Sequence, residues 1–272
     1  MQGTLYVVTT PIGNLEDLTL RAARVLSEVG LIAAEDTRQA RKLLTHLGIS
    51  KKRVVSYNEH NAAQRSPGLL RALLEQDVAL VTDAGVPAVS DPGADLVRLS
   101  AEQGNVVVPI PGPSAVTAAL SVAGITGAFR FLGFPPRTHK GRRALLAEVE
   151  HEQSTLVLFE APHRVRPTLE AIASTLGERR LAVCREITKL YEEIFRGTAA
   201  EAIDHFKQPR GEFVIVIEGT KEQVEEEVDK AGALDALTSL KARGQSRRDA
   251  VEQVTDAYGI SRREAYKLWL TI

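Results

Sequence analysis

Residues 80–93, LVTDAGVPAVSDPG, decide how this chain is read. The apolar run from Val78 to Val81 stops abruptly at Asp83. Gly85, Pro87, Ser90, Asp91, Pro92 and Gly93 follow at once. A buried strand that ends in a stiff, acid-bearing Gly/Pro loop is how an open α/β sheet builds a ligand site at its carboxyl edge. Glycine lets backbone approach a ligand, proline fixes the loop, and carboxylates supply acceptors. The same residues also fit a tight turn that merely starts a helix, so the neighbouring segments must decide.

Those segments repeat the pattern. LYVV (5–8) runs into TTPIGN, LIAA (31–34) into EDTR, VVSY (54–57) into NEHN and VVVPI (106–110) into PGPS. Amphipathic stretches such as 19–29 lie between them, which predicts βα units on a mostly parallel sheet. A second set follows: FRFLGF (129–134), STLVLFEAP (154–162), LAVCREI (181–187) and EFVIVIEG (212–219), with helical patterns at 140–150, 163–176 and 198–207. KLYEEIFRG (189–197) alternates apolar and polar residues, which predicts an antiparallel strand and a mixed second sheet. The expected organisation is an N-terminal α/β lobe over 1–112, a second α/β lobe over 113–220 and an appendage over 221–272. The appendage opens with an acidic helix or tether, KEQVEEEVDKAG (221–232). Ser246-Arg-Arg-Asp249 and Ser261-Arg-Arg-Glu264 read as capping boxes, and Gly259 as a helix stop. Leu234, Leu237, Leu240, Val251, Val254, Leu268 and Trp269 are the expected core of three helices. They read equally as a helix-turn-helix module and as a packing or dimerisation tail.

Composition narrows the function classes. With 44% hydrophobic and 25% charged residues the chain is globular rather than fibrous or disordered. Cys184 is the only cysteine, so there is no disulfide framework and no cysteine-built zinc site. MQGTLYVVTTPIG lacks the charged start and long apolar core of a signal peptide, and AVTAALSVAGI (115–125) is too short to span a bilayer. The expectation is a cytoplasmic protein with no membrane partner. A formal net charge of −1 gives no bulk affinity for nucleic acid, so RNA binding would need local patches.

Neither GxGxxG nor GxxxxGK[ST] is present. Instead, four loops converge at one sheet edge. They carry Thr10, Pro11 and Gly13; Glu35, Asp36 and Arg38; Asp83, Gly85 and Ser90; and Pro111, Gly112 and Ser114. EAPHR (160–164) echoes EDTR in the second lobe, with His163 and Arg164 at a helix amino end that attracts anions. Arg137, His139, Lys140, Arg142 and Arg143 form a basic run suited to tracking phosphates. Glu35, Asp36, His60 and Glu160 are the candidate general bases. Arg38, Arg164 and Arg185 are the candidate bidentate clamps for phosphate or carboxylate. No cluster has metal-ligand spacing.

TPIGNLEDLTLRA, AEDTR, YNEHN, LVTDAGVPAVSDPG, PGPSAVTAAL, FLGFPPR, LFEAPHR and CREITKLYEE occur in that order. Over about residues 3–220 this series resembles the ribosomal RNA small-subunit methyltransferase I family, within the tetrapyrrole-methylase-like superfamily of S-adenosylmethionine methyltransferases. The resemblance implies two α/β lobes with S-adenosylmethionine in the cleft between them, a homodimer, and 2′-O-methylation of a cytidine in small-subunit ribosomal RNA near the decoding centre. It implies cofactor contacts from Thr10, Pro11, Gly13, Asp83, Ala84, Gly85, Val89, Ser90, Ser114, Ala115, Phe159 and Glu212. RNA contacts would come from Arg38, Arg137, Lys140, Arg142, Arg143, His163, Arg164 and Arg185. A basic stripe is expected from 137–143 across the cleft, extended by Arg247, Arg248, Arg262 and Arg263. Asn58 stands where the family usually carries a histidine, which leaves His60 as the better candidate in that loop. Two other readings remain open at this point: a tetrapyrrole C-methyltransferase, and a non-catalytic RNA-binding assembly factor.

Overall fold

Near-continuous apolar strands must be covered on both faces, and that requirement organises the first lobe. The computed structural model describes residues 3–221 and 230–272. Strands β1 (Thr4–Val8), β2 (Leu31–Ala34), β3 (Arg53–Ser56), β4 (Val78–Val81) and β5 (Val106–Ile110) form one parallel sheet in the order β3-β2-β4-β1-β5. Helices α1 (Leu20–Glu28) and α2 (Thr37–His46) bring Val25, Leu26, Leu43 and Leu44 onto Val8, Ile32 and Val81. On the opposite face, α3 (Ala62–Ala72) and α4 (Ala94–Glu102) bring Leu69, Leu70 and Leu96 onto Leu5, Ala33 and Leu80. Pro109 interrupts no ladder at a cost, because β5 is an edge strand.

Helix α5 (Ala115–Ala123) already belongs to the second sheet. Its Val116, Ala119 and Ala123 pack on Val157, Ala182, Cys184 and Val214. That sheet runs β6-β7-β10-β8-β9, from β6 (Phe129–Phe131), β7 (Thr155–Glu160), β8 (Leu181–Arg185), β9 (Glu193–Gly197) and β10 (Phe213–Ile217). Only the β6–β7 pairing is parallel, so the sheet is mixed as expected. Helices α6 (His139–Glu148), α7 (Pro162–Leu176) and α8 (Ala199–His205) cover its other face through Leu146, Val165, Leu169 and Ala202. Burial pushes the Cys184 thiol up to about 11, which leaves it a packing residue.

One strand begins later than its alternation suggests. β9 opens at Glu193, because Lys189 turns back to pair with Glu186 at 2.9 Å and Glu212 at 2.7 Å. Leu190 and Tyr191 are left exposed on the resulting turn.

The chain forms two compact units, Met1–Thr220 and Lys221–Ile272. In the second, α9 (Lys230–Ala242), α10 (Arg247–Tyr258) and α11 (Arg262–Thr271) enclose a core of Ala233, Leu237, Ala250, Val251, Val254, Ile260 and Ala265. Leu240, Leu268 and Trp269 pack against this core, whereas Leu234 stays outside it. Both serines cap as expected, but only Ser261 with Glu264 closes the reciprocal box. Asp249 is one methylene shorter and meets the Ser246 hydroxyl instead, at 2.7 Å. Gly259 stops α10 in the left-handed conformation. The acidic stretch at 221–232 lies mostly outside the described residues. Among the described residues, no helix is long and apolar enough to cross a membrane.

Candidate active site

Strand adjacency brings the expected loops together. Because β4 lies between β1 and β2, the loops after these three strands are neighbours. Thr10 and Gly85 exchange backbone hydrogen bonds of 2.9 and 3.0 Å, tying the β1 loop to the β4 loop. The Thr10 hydroxyl donates to the Thr82 carbonyl at 3.2 Å. From the β2 loop, Asp36 N–H donates to Asp83 Oδ1 at 3.0 Å, and Glu35 Oε2 accepts from the Thr82 hydroxyl at 2.5 Å and from Asp83 N–H at 3.2 Å. The β4 loop is held in an uncommon shape: Ala88 (φ 68°) and Ser90 (φ 63°) are left-handed without being glycine. Such conformations persist only where surroundings over-determine them.

The β1 and β4 loops form one wall of a cavity of about 440 Å³ between the two sheets. That volume lies within the roughly 300–1,000 Å³ of small-molecule sites. Ala84, Gly85, Val89, Ser114 and Ala115 line it from the first side, and Phe159 and Glu212 from the second. All seven are among the expected cofactor contacts. Ile12, Asp91, Phe134, Ile187 and Val214 line it as well and were missed. Phe131 and Phe134 pack edge-to-face on Phe159 at 4.9 and 5.5 Å, making one aromatic wall. The first turn of α5 opens into the cavity, and its N-cap, Ser114, has no side-chain capping bond. That leaves amide donors and a hydroxyl at the positive end of a nine-residue helix.

Other expected cofactor residues sit beside the cavity rather than in it. Thr10, Pro11 and Asp83 line a smaller pocket of about 230 Å³ with Lys42. Gly13 lets the lobes approach, since a Cβ there would lie 2.5 Å from Lys189 Cγ. Ser90 is exposed, its hydroxyl against Gly133.

The candidate bases separate clearly. Asp36 caps α2 and binds Arg38 through both oxygens; that guanidinium holds its carboxyl down at about 2. His60 is exposed in the loop after β3, at the sheet's far edge, and does not line the cavity. Glu160 lines the cavity but is fully committed. Its side chain is wholly buried, with Oε1 accepting from the Ala161 N–H at 2.9 Å and ion-paired with Arg164 at 3.2 Å, and Oε2 accepting from the Thr168 hydroxyl at 2.6 Å. Asp83 is raised above the usual carboxylate range by burial and by Glu35. Asp91 is pushed up to about 6, first by burial and then by Glu35, with Asp83 and Glu59 adding to it.

Several cations expected to meet substrate are spent internally. Arg164 holds Glu160 and donates to the carbonyls of Pro135 and Pro136. Arg185 pairs with Glu193 at 3.0 Å and donates to the Arg210 carbonyl at 2.7 Å. Arg142 is buried in α6, with Nη1 on the Arg137 carbonyl, so the basic run is a capped helix start rather than a free loop. Arg137, Lys140, Arg143 and His163 are exposed, as is Arg38. In the C-terminal unit, Arg247 stacks over Tyr266 at 4.7 Å and Arg262 reaches Glu252 at 3.4 Å. Among the described residues, no group of three or more His, Cys, Asp or Glu is disposed to hold a metal.

The family model of the tetrapyrrole (corrin/porphyrin) methylases matches residues 4–203. A relative from Halalkalibacterium halodurans, named ribosomal RNA small subunit methyltransferase I, is 44% identical over 98% of this chain and 95% of its own. The chain belongs to the ribosomal RNA small subunit methyltransferase I family. Within that family, a relative of the same name from Thermotoga maritima is 47% identical, over 80% of this chain and 99% of its own length. It has no room for a second unit as long as residues 221–272. Among solved structures, uroporphyrin-III C-methyltransferase from Thermus thermophilus, complexed with S-adenyl homocysteine, matches with a TM-score of 0.55. At 18% identity over 79% of this chain and 97% of that one, it shares the fold.

Proposed function

We propose that this chain transfers a methyl group from S-adenosylmethionine to the ribose 2′-oxygen of a cytidine in small-subunit (16S) ribosomal RNA, near the decoding centre. The observation that carries the reading is the cavity between the sheets, in a chain this similar to named ribosomal RNA methyltransferases. Its chemistry suits the cofactor. The apolar wall of Ile12, Val89, Phe134 and Phe159 would accommodate an adenine, and the open first turn of α5 with Ser114 would hold a carboxylate. When bound, the cofactor supplies a methyl carbon on a sulfonium, a good leaving group. The protein's own work is to hold two reactants in line, worth about 7–11 kcal/mol of barrier, and to accept one proton.

RNA phosphates would be held by Arg38, Arg137, Lys140 and Arg143, which remain exposed. With a net charge of −1, binding rests on such local patches, and affinity falls steeply with salt. A ribosomal RNA substrate supports a cytoplasmic location. The homodimer implied by the sequence resemblance is supported by exposed Leu190 and Tyr191; sedimentation at micromolar concentration tests it, and a monomer there refutes it.

The decisive experiment is transfer of labelled methyl to small ribosomal subunits from cells lacking this activity. Label on a single ribose supports the reading. Label on uroporphyrinogen but not on RNA replaces it with the tetrapyrrole reading. Tight RNA binding without transfer favours an assembly factor.

A further inference from the structure

We infer that the outer face of α11, in the C-terminal unit, binds the phosphate backbone of the RNA substrate and stacks one of its bases, an inference that rests on the ribosomal RNA reading above. Helix geometry builds this face. Ala265 is buried in the core of the unit, and Leu268, Trp269 and Ile272 pack against that core. These residues mark the inward side of α11. Arg262, Arg263, Tyr266, Lys267 and Leu270 follow one another at spacings of three and four, so they share the other side. All five are exposed, and together they line a shallow hollow. The core of the unit closes without them, so this face is free for a partner.

Charge selects that partner. Residues 230–272 hold eight lysines and arginines against five acids, whereas residues 1–220 hold 25 of each. Among the described residues, no acid pairs with Arg263 or Lys267. Arg262 reaches Glu252 at 3.4 Å, but both side chains are more than half exposed, so that pair yields readily to a phosphate. A second copy of the chain fits poorly here, because two such faces would set like charges against each other. A polyanion fits well.

The tyrosine is prepared for a base. Arg247 opens α10, and its guanidinium carbon lies 4.7 Å from the centre of the Tyr266 ring. That stack holds one ring face. Tyr266 is still 39% exposed, which leaves the other face for a nucleobase. An aromatic platform flanked by cations is how proteins follow a nucleic-acid strand without reading its sequence. A three-residue turn containing Gly259 joins α10 to α11, and the Ser261–Glu264 box fixes where α11 starts. Duplex RNA hides its bases in a deep, narrow groove, so phosphates and unstacked bases are what such a face can reach. The Thermotoga maritima relative is matched over 99% of its own length by 80% of this chain. A unit that such a relative does without adds affinity rather than chemistry.

The test measures binding of the full chain to unmodified small ribosomal subunits at increasing potassium chloride. Single-turnover methyl transfer at saturating subunits is followed in parallel. Arg263→Ala with Lys267→Ala should weaken binding about tenfold or more at low salt and reduce the salt slope by about two. Tyr266→Ala should weaken it roughly 5–150-fold. Arg263→Lys with Lys267→Arg keeps both charges and should keep the affinity, since a phosphate accepts either cation. Lys241→Gln removes one charge beside Trp269, outside this face, and should change little. Transfer at saturating subunits should stay within about twofold throughout, because the face contributes binding and not chemistry. A double alanine variant that binds no more weakly than Lys241→Gln overturns the inference. So does an equal loss in the charge-keeping variant, which would make these side chains packing residues. So does a change in sedimentation with RNA affinity intact, which would make the face a contact between copies. If the unaltered protein transfers no methyl to any small-subunit RNA, the parent reading fails and the inference falls with it; transfer with unaltered binding in every variant overturns the inference alone.

Discussion

Replacing Arg164 with leucine should destabilise the protein rather than merely weaken RNA binding. The Glu160 side chain is fully buried and that of Arg164 is 15% exposed, so water cannot replace the lost partner. Breaking a buried pair by removing one member costs about 3–5 kcal/mol, because the other charge stays behind. Glu160 keeps two donors, the Ala161 amide and the Thr168 hydroxyl, which pulls the figure toward the lower end. The lost bonds to the Pro135 and Pro136 carbonyls push it back up by about 1 kcal/mol. The net expectation is about 3–4 kcal/mol, or a fall in melting temperature of roughly 6–16 °C for a unit of this size. Thermal unfolding followed by far-ultraviolet circular dichroism measures it. Removing both charges, Glu160→Leu with Arg164→Leu, should restore more than half of the loss, since the cost is an uncompensated charge and not a missing contact. A single variant within about 1 kcal/mol of the unaltered protein would refute this account. So would a double variant less stable than the single one.

Three more expectations follow from the same geometry. Asp91 has an ordinary value of 3.8 unfolded and about 6 folded, so the folded state holds the extra proton. Stability therefore falls as pH rises from about 4 to 6 and stays lower above that. Asp91→Asn should raise stability at pH 8 by about 1 kcal/mol, after discounting for solvent screening, and leave it unchanged at pH 4; equal urea midpoint shifts at both pH values would contradict this. Gly93→Ala should cost about 1–3 kcal/mol, since a Cβ at φ 143° would lie 2.8 Å from Leu80 Cδ2. Gly124→Ala, with open space around it, should cost less; a reversed order of melting temperatures would be inconsistent. A chain ending at Thr220 should keep its circular dichroism and bind S-adenosylhomocysteine, because its core clusters share no residue with the C-terminal one. Aggregation of that shorter chain would count against independence.

Strand positions were legible because most apolar runs meet glycine, proline, asparagine or an acid within a few residues, and these terminators act locally. Strand order was not legible. That β4 lies between β1 and β2 depends on pairing across more than forty residues, which no local pattern encodes. The carboxyl-edge rule still grouped Glu35, Asp36, Asp83 and Gly85 correctly. It could not rank them, because an acid's strength depends on what stands beside it in space. For the same reason it could not show that Arg142, Arg164 and Arg185 have partners within the protein. The carbonyls that Arg164 and Arg185 reach, those of Pro135, Pro136 and Arg210, are set by tertiary packing. Asp91 was quoted from the start but not among the expected site residues, since its burial and its acidic neighbours are invisible in sequence. Phe134, Ile187 and Val214 enter the cavity only because the second sheet docks against the first, a relation that periodicity does not carry.

Trp269 is the only tryptophan of the chain, and it packs on the small core formed by α9, α10 and α11. Lys241 lies 5.3 Å from its ring centre. Tryptophan emission therefore reports on this unit alone and is blind to the lobes that hold the cavity. During denaturation, emission and circular dichroism are two separate witnesses. If their transitions do not coincide, the chain unfolds in two steps, and no single midpoint describes its stability.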